Sequence, residues 1–396
     1  MPSARRINPS GLCTVWSFDG DGDGFARDVA AQCSRTPYCL VLVFYSQHRY
    51  PPAAFLAALD AELDAAVEGP IIAGCSTAGE LTPEGLRENN IVAVLFPCAH
   101  FEADALLIEQ VADRGMEDIA NRVGQLRERF TGGRRDGVFA LSVIDGLSRS
   151  EEAVTTAINR ALDGIVLLGG SSGDDAYFKH TTQVFGASGY SGAAIVIMMR
   201  TDLRFEAFST KNFVATEAKL VVTECDPSER IVYEFNGVRA AEEYARLVNA
   251  DPNTLSATTF ASHPLVVRVD GEYFCRAISH VYGDGSLRFF CAIDEGIVLT
   301  LSEPVAMVET TAETLEGVMQ RIGPLDTILG FDCAYRRTDA RNRGLYNAMS
   351  ELYQTFNFVG FATYGEQFHA MHINQTCTGI AFAATSGESD RITGQP

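Results

Sequence analysis

Short apolar runs alternate with amphipathic helical stripes along the first half of the chain, and this alternation restricts the folds open to it. Residues 39–44 and 138–143 have the apolar character of buried strands. Ser148 and Glu151 form a capping box that opens a helix after the second of them. Because strands that alternate with helices form sheets covered by helices, we predict an α/β domain over residues 10–215.

Strand-like runs follow one another more closely in the second half of the chain. Asp284-Gly285 is a strong hairpin signal between two of them. Helical stripes follow near residues 315–322 and 345–356. We therefore predict an α+β domain with a largely antiparallel sheet over residues 225–390, so that the whole chain mixes the α/β and α+β classes.

Charge and cysteine usage exclude several classes of function. The 396 residues include 31 Lys and Arg against 51 Asp and Glu, a net charge of -20, which disfavours nucleic acid and anionic membranes as partners. The ten cysteines contain no Cys-x-x-Cys pair, which is typical of free thiols in a reducing compartment. No apolar run approaches the roughly 20 residues that span a bilayer, and we expect a soluble cytoplasmic protein.

Two glycine- and serine-rich loops resemble each other. Residues 74–80 and 169–175 each follow an apolar strand and combine Gly, Ser and an acid, which indicates a weak duplication about 95 residues apart. The second loop also matches the Gly-x-Ser-x-Gly pattern of hydrolases around Ser171. No helical stripe follows it and no Ser/His/Asp set is evident, so we expect a protein that is not an enzyme.

The segment 358–382 places polar side chains between two apolar, strand-like runs, as a binding site requires. Within it, Phe361-Ala-Thr-Tyr-Gly-Glu-Gln-Phe368 and Met371-His-Ile-Asn-Gln-Thr376 resemble the C-terminal signature of FIST-domain sensory proteins. Further similarities lie at 71–80, 168–175 and 331–336. The resemblance covers nearly the whole chain and is closest to the branch of haem-binding nitric oxide sensing proteins.

This resemblance implies a FIST-N domain over 10–215 and a FIST-C domain over 225–390. It also implies that the protein binds haem b, senses nitric oxide and regulates a separate sensor histidine kinase or cyclic-di-GMP enzyme. A homodimer is left open. No Cys-x-x-Cys-His motif is present, so a bound haem would be non-covalent.

Haem iron in such a sensor needs a neutral imidazole beside an apolar pocket. His372 is our first choice as iron ligand because it lies in the segment that carries the resemblance; His263 is the second, followed by His369 and His280. The other residues that we predict to contact the cofactor, with an arginine for the propionates, are Phe361, Met371, Tyr364 and Arg336. For Arg336 and its neighbours Arg337, Arg341 and Arg343, a surface ion-pair cluster is an equal alternative.

Two alternatives to a haem sensor are kept. The first is a FIST sensor that binds a small metabolite such as an amino acid through Ser76, Thr77, Ser171 and Asp174, without haem. The second is a hydrolase that uses Ser171 as its nucleophile.

Overall fold

The computed structural model of this chain describes residues 3–63, 69–175, 177–269 and 271–385. Residues 386–390 of the predicted second domain lie outside the described residues. The predicted fold class is confirmed, because helices and strands are mixed and most strand pairs are antiparallel. Among the described residues, no helix is both long and apolar enough to cross a membrane.

The chain starts with a unit of strands and helices that we call unit 1. After a first strand β1 (Ala4–Ile7), it consists of β2 (Cys13–Ser17), α1 (Gly22–Cys33), β3 (Tyr38–Tyr45), α2 (Pro52–Leu63), β4 (Ile71–Ser76), the hairpin β5 (Glu80–Thr82) and β6 (Gly85–Arg87), and β7 (Ile91–Pro97).

The next segment repeats this order and is called unit 2. It consists of β8 (Phe101–Ile108), α3 (Met116–Thr131), β9 (Val138–Ile144), α4 (Glu151–Leu162), β10 (Leu167–Ser171), the hairpin β11 (Gln183–Phe185) and β12 (Ser188–Tyr190), and β13 (Ala194–Thr201).

A third repeat, unit 3, begins with β14 (Phe205–Lys211) and is then interrupted by residues 213–304, which we call the inserted domain. The elements of the inserted domain are β15 (Phe213–Asp226), β16 (Ile231–Phe235), β17 (Val238–Arg239), α5 (Ala240–Val248), a 3-10 turn (Pro252–Thr254), α6 (Ala257–Ser262), β18 (Leu265–Val269), β19 (Glu272–Cys275), β20 (Ile278–Val281), β21 (Leu287–Phe289) and β22 (Val298–Pro304). Its strands form one antiparallel sheet with a separate apolar core.

Unit 3 resumes after the inserted domain. Its remaining elements are α7 (Met307–Ile322), β23 (Leu325–Cys333), α8 (Ala334–Asn342), α9 (Tyr346–Thr355), β24 (Phe358–Thr363), the hairpin β25 (Glu366–Phe368) and β26 (Met371–Ile373), and β27 (Thr376–Ala383).

The three units form equivalent sheets and exchange their hairpins in a cycle. The strand orders are β2-β7-β3-β4 in unit 1, β8-β13-β9-β10 in unit 2 and β14-β27-β23-β24 in unit 3. Hairpin β11–β12 extends the sheet of unit 1, β25–β26 that of unit 2, and β5–β6 that of unit 3. Two of these sheets therefore contain strands from both segments that the sequence predicted as separate domains.

The central core lies where the three sheets face each other. In β3, Leu40, Leu42 and Phe44 point to this core, whereas Val41 and Val43 point to the helices of the same unit. Both faces of the strand are buried, which explains why its sequence is apolar throughout instead of alternating. The other two units cover their outer faces in the same way.

A ring of backbone hydrogen bonds joins the units at the carboxyl ends of their parallel strands. The N–H of Gly173 donates to the carbonyl of Ser76 (3.0 Å), that of Ala78 to Ala362 (2.9 Å), and that of Tyr364 to Ser171 (3.1 Å). These bonds, together with the strand registers, make Ser76, Ser171 and Ala362 equivalent positions.

Two residues before each of these positions stands a glycine that touches the neighbouring strand. A Cβ at Gly74, Gly169 or Gly360 would lie 1.8 to 2.0 Å from a backbone carbonyl oxygen of β3, β9 or β23. Because backbone cannot yield there, all three positions require glycine.

Gly169→Ala should therefore lower the free energy of unfolding by more than about 2 kcal/mol, since its Cβ would force two paired strands apart. Urea unfolding measures the loss. Gly124→Ala on α3 is the matched control, because its Cβ has open space and the better helix propensity should stabilise by about 0.5–1 kcal/mol. Equal effects of the two substitutions would contradict the packing argument.

Candidate functional site

Two buried glutamates mark equivalent turns in units 1 and 3. Thr77 Oγ1 lies 2.6 Å from Glu80 Oε1, and Thr363 and Glu366 make the same contact. The other oxygen of Glu366 accepts a hydrogen bond from Thr376 Oγ1 (2.6 Å). These hydroxyls are the side-chain partners of Glu366. Burial raises the pKa of both carboxyl groups to about 8, against the opposing effect of these hydrogen bonds.

Unit 2 has an amide at the corresponding position. Gln183 opens β11 as Glu80 opens β5, and its Nε2 donates to Ser172 Oγ (2.7 Å). In units 1 and 3 the direction is reversed, because the hydroxyls of Thr77 and Thr363 donate to the glutamate oxygens.

His372 is buried in the hairpin that unit 3 donates to unit 2. Its side chain is 2 % exposed, and its Nε2 lies 3.3 Å from Ser171 Oγ. A Cβ at Gly365 would come within 2.2 Å of the same nitrogen. A porphyrin therefore has no room over His372 Nε2 in this conformation.

Ser171, His372 and Glu152 follow one another as in a hydrolase triad, an arrangement that sequence reasoning missed. His372 Nδ1 lies 3.9 Å from Glu152 Oε1. Ser171 is fully buried, however, and its N–H and that of Ser172 donate to carbonyls of neighbouring strands. The serine thus lacks both the access and the free backbone donors that acyl transfer requires.

Arg230 ties the inserted domain to unit 2. Its guanidinium bonds Glu151 (2.9 Å) and Glu152 (2.7 Å) at the start of α4, and it also donates to the carbonyl of Phe290. Arg230 and Glu151 are both buried. This buried ion pair fixes the position of the inserted domain against unit 2. Leaving either charge unpaired in the interior would cost a large amount of folding free energy.

Tyr364 and Asp174 fix the loop between β10 and β11 of unit 2, which we call the long loop. Asp174 accepts hydrogen bonds from the hydroxyl of Tyr364 and from the N–H groups of Phe178 (2.8 Å) and Lys179 (2.6 Å). The rings of Tyr364 and Phe178 stack at 4.7 Å. Tyr364 thus connects unit 3 to the long loop of unit 2.

The remaining residues predicted to contact a cofactor do not gather around His372. Phe361 is fully buried in the central core. Arg336 is buried and bonded to Asp332 (3.3 Å) and Thr311 (2.5 Å), so its charge is compensated inside unit 3. Met371 is half-buried on the edge strand β26.

His263 lies instead on an open cleft between the inserted domain and unit 3. The cleft measures ≈ 380 Å³, and its apolar wall includes Leu247, Val248 and Leu301. His263 Nδ1 lies 3.2 Å from the carbonyl oxygen of Thr259, which makes Nδ1 the protonated nitrogen. No hydrogen bond to Nε2 occurs within the described part of the chain, so in the neutral ring the lone pair of Nε2 has no donor from the protein. We call it the His263 cleft.

The other predicted histidines and arginines lie apart from this cleft, except Arg343, which lines it. His369 is exposed beside Phe368. His280 lines a cavity between unit 2 and the inserted domain. Arg337 and Arg341 line a smaller cavity of ≈ 370 Å³ between units 1 and 3.

The hydroxyls proposed for a metabolite are also inaccessible. Ser76, Thr77 and Ser171 are all fully buried, and Asp174 is 1 % exposed. They support the junction of the units, and a ligand could reach only the cavities outside them. Within the described residues, no three His, Cys, Asp or Glu side chains cluster as a metal ion would require.

The buried glutamates predict a pH dependence of stability. Their pKa of about 8 in the folded chain exceeds the ordinary value of 4.5, so the folded state binds more protons between these limits. Stability should fall as pH rises from 4.5 to 8, by up to about 1.4 kcal/mol per pH unit for each glutamate. Glu366→Gln should flatten this fall in urea unfolding from pH 5 to 8, and Glu316→Gln, on the exposed side of α7, should not. An unchanged slope in Glu366→Gln would contradict a neutral Glu366.

The Arg230 ion pair can be tested in the same way. Arg230→Met leaves Glu151 buried without its cation and should cost about 3–5 kcal/mol of unfolding free energy. Adding Glu151→Gln removes the stranded charge and should restore part of the loss. Equal stability of the single and double variants would show that this charge pairing does not hold the inserted domain against unit 2.

Two family models match the chain and together cover most of it. The FIST N domain model matches residues 39–238 and the FIST C domain model matches residues 240–369. The first match ends inside the inserted domain and the second inside unit 3. No curated protein matches the chain significantly. FIST domains are domains of signal-transduction sensors, and with these two matches the chain belongs to the FIST family.

Proposed function

We propose that this FIST protein binds haem b in the His263 cleft, senses nitric oxide, and regulates a partner sensor histidine kinase or cyclic-di-GMP enzyme. The observation that supports the proposal is the state of the His263 ring. Its Nδ1–H is held by a backbone carbonyl, as in most metal-ligating histidines, and Nε2 keeps its lone pair. His263 is therefore a better ligand than His372, whose Nε2 is enclosed.

The residues around His263 fit the rest of the group. Leu247, Val248 and Leu301 offer apolar surface. Arg343 also lines the cleft but is paired with Asp339 (3.3 Å), so a propionate would have to replace that carboxylate. Haem, when bound, supplies an iron that takes nitric oxide. His263 would hold that iron, and the apolar side chains would exclude water from it.

The cleft is also placed to report ligand binding. The carbonyl of His263 accepts a hydrogen bond from Tyr244 on α5 (2.8 Å), and Ser262 donates to Asp339 on α8 (3.0 Å). A shift of the His263 ring would thus reach both the inserted domain and unit 3. A partner that contacts both bodies can read such a shift as a change in their relative position.

The decisive experiment is an anaerobic visible spectrum of the full chain loaded with haem, before and after nitric oxide. A stoichiometric Soret band that shifts with the gas is expected. His263→Gly should lose most of this band, and added imidazole should restore it because it replaces the missing ring. His372→Ala should keep the band.

The opposite pattern, with loss in His372→Ala and retention in His263→Gly, would reject the His263 cleft. A colourless protein that also fails to take up added haem would reject the haem sensor and favour the metabolite sensor. Autophosphorylation of a purified sensor kinase, with and without the loaded protein and nitric oxide, tests the proposed output.

A further inference from the structure

A second cavity, separate from the His263 cleft, has an unusual charge for this protein. It measures ≈ 650 Å³ and lies between unit 2 and the inserted domain, a volume within the range of ligand pockets. Its cationic side chains are Arg149, Lys179, Arg230 and Arg288. Because the chain has a net charge of -20, four cations around one cavity point to an anionic occupant. We call it the arginine cavity.

The carboxylates near the cavity do not satisfy all of these cations. Arg230 is used by Glu151 and Glu152 in the ion pair described above. Arg149 lies 2.7 Å and Arg288 3.8 Å from the same partner, Glu229, which is half exposed. Lys179 has no carboxylate partner among the described residues. Arg149, Arg288 and Lys179 together therefore have charge left for a ligand.

Flat aromatic faces accompany these cations. Phe178 and Phe290 line the cavity, and their rings lie 5.3 Å apart at 39°. Phe178 is 41 % exposed although its other face stacks on Tyr364. Tyr177, next to it, is 56 % exposed. Exposed rings beside cations are the elements that bind a planar ring with an attached anionic group.

The loop that carries Tyr177 and Phe178 is an addition to the repeated unit. Thr77 and Glu80 are 3 positions apart, as are Thr363 and Glu366, whereas the equivalent Ser172 and Gln183 are 11 positions apart. Residues 178–180 are fixed by the carboxylate of Asp174, which accepts a hydrogen bond from the backbone N–H group of each of them. Asp174 thus holds Phe178 and Lys179 at the cavity.

We propose that the arginine cavity binds an organic anion with a planar ring, such as a nucleotide or an aromatic carboxylate. The ring would lie against Phe178 and Phe290, and the phosphate or carboxylate would bind Lys179, Arg149 and Arg288. This site is distinct from the His263 cleft and adds a second ligand class to the sensor.

Isothermal titration of the full chain tests the proposal with three probes. Guanosine monophosphate has a planar ring and a phosphate, indole-3-carboxylate has a planar ring and a carboxylate, and ribose 5-phosphate has no planar ring. One of the two planar probes should bind at least tenfold more tightly than ribose 5-phosphate, because stacking contributes to its affinity. Which of them does so distinguishes the two sources of the anion.

Variants locate the binding. Lys179→Ala should lower the affinity for the planar probe about fivefold. Arg149→Asn should have the same effect, and asparagine suits the left-handed backbone conformation of this position. Phe178→Leu keeps an apolar side chain but removes the flat face, and should weaken binding about tenfold. Arg129→Ala, on an exposed part of α3, removes the same charge elsewhere and should change nothing.

Three results would overturn the site: no binding of either planar probe, equal affinity for ribose 5-phosphate, or equal weakening by Arg129→Ala. The two proposals fail separately. His263→Gly should bind the planar probe normally, so a protein without haem uptake that binds the probe rejects only the haem sensor. A protein with a normal Soret band that binds no probe rejects only the arginine cavity.

Discussion

The fold depends on three backbone hydrogen bonds at the junction of the units, in which Gly173 donates to Ser76, Ala78 to Ala362, and Tyr364 to Ser171. Each bond joins a different pair of units, so no pair completes the junction alone. The exchanged hairpins also make the units depend on one another, because each sheet receives its last two strands from a neighbouring unit. The three sheets therefore enclose one central core that exists only when all units are present.

Both candidate ligand sites lie where the repetition is broken. The inserted domain interrupts unit 3 between β14 and α7, and the loop before β11 is longer than its two counterparts. The His263 cleft lies between the inserted domain and α8, and the arginine cavity lies between the inserted domain and the long loop. The symmetric part supplies a rigid body, and the additions supply accessible side chains. This division agrees with the general rule that sites are built on loops that a scaffold positions.

The sequence predicts much of this fold, because strands buried on both faces leave continuous apolar runs and helices leave stripes. The similarity between the loops at 74–80 and 169–175 indicates only two of the three units. The closest counterpart of Thr77-Ala-Gly-Glu80 is Thr363-Tyr-Gly-Glu366, and this match was available in the sequence. Read alone, the polar groups of 363–376 indicate a ligand site. In the structure, Thr363, Glu366 and Thr376 satisfy one another instead.

The two histidines show that the segment with the family motif and the accessible imidazole lie at different places in the fold. His372 stands in the segment that carries the family resemblance, yet a cyclic exchange of hairpins encloses it, and the exchange depends on residues nearly 200 positions away in β10. His263 stands outside that segment, and what qualifies it is the carbonyl of Thr259, one helical turn earlier. That carbonyl fixes which nitrogen carries the proton. Because accessibility and tautomer both depend on tertiary neighbours, residue identity and spacing cannot choose between the two rings, and the proposal of His263 rests on the geometry at Nε2.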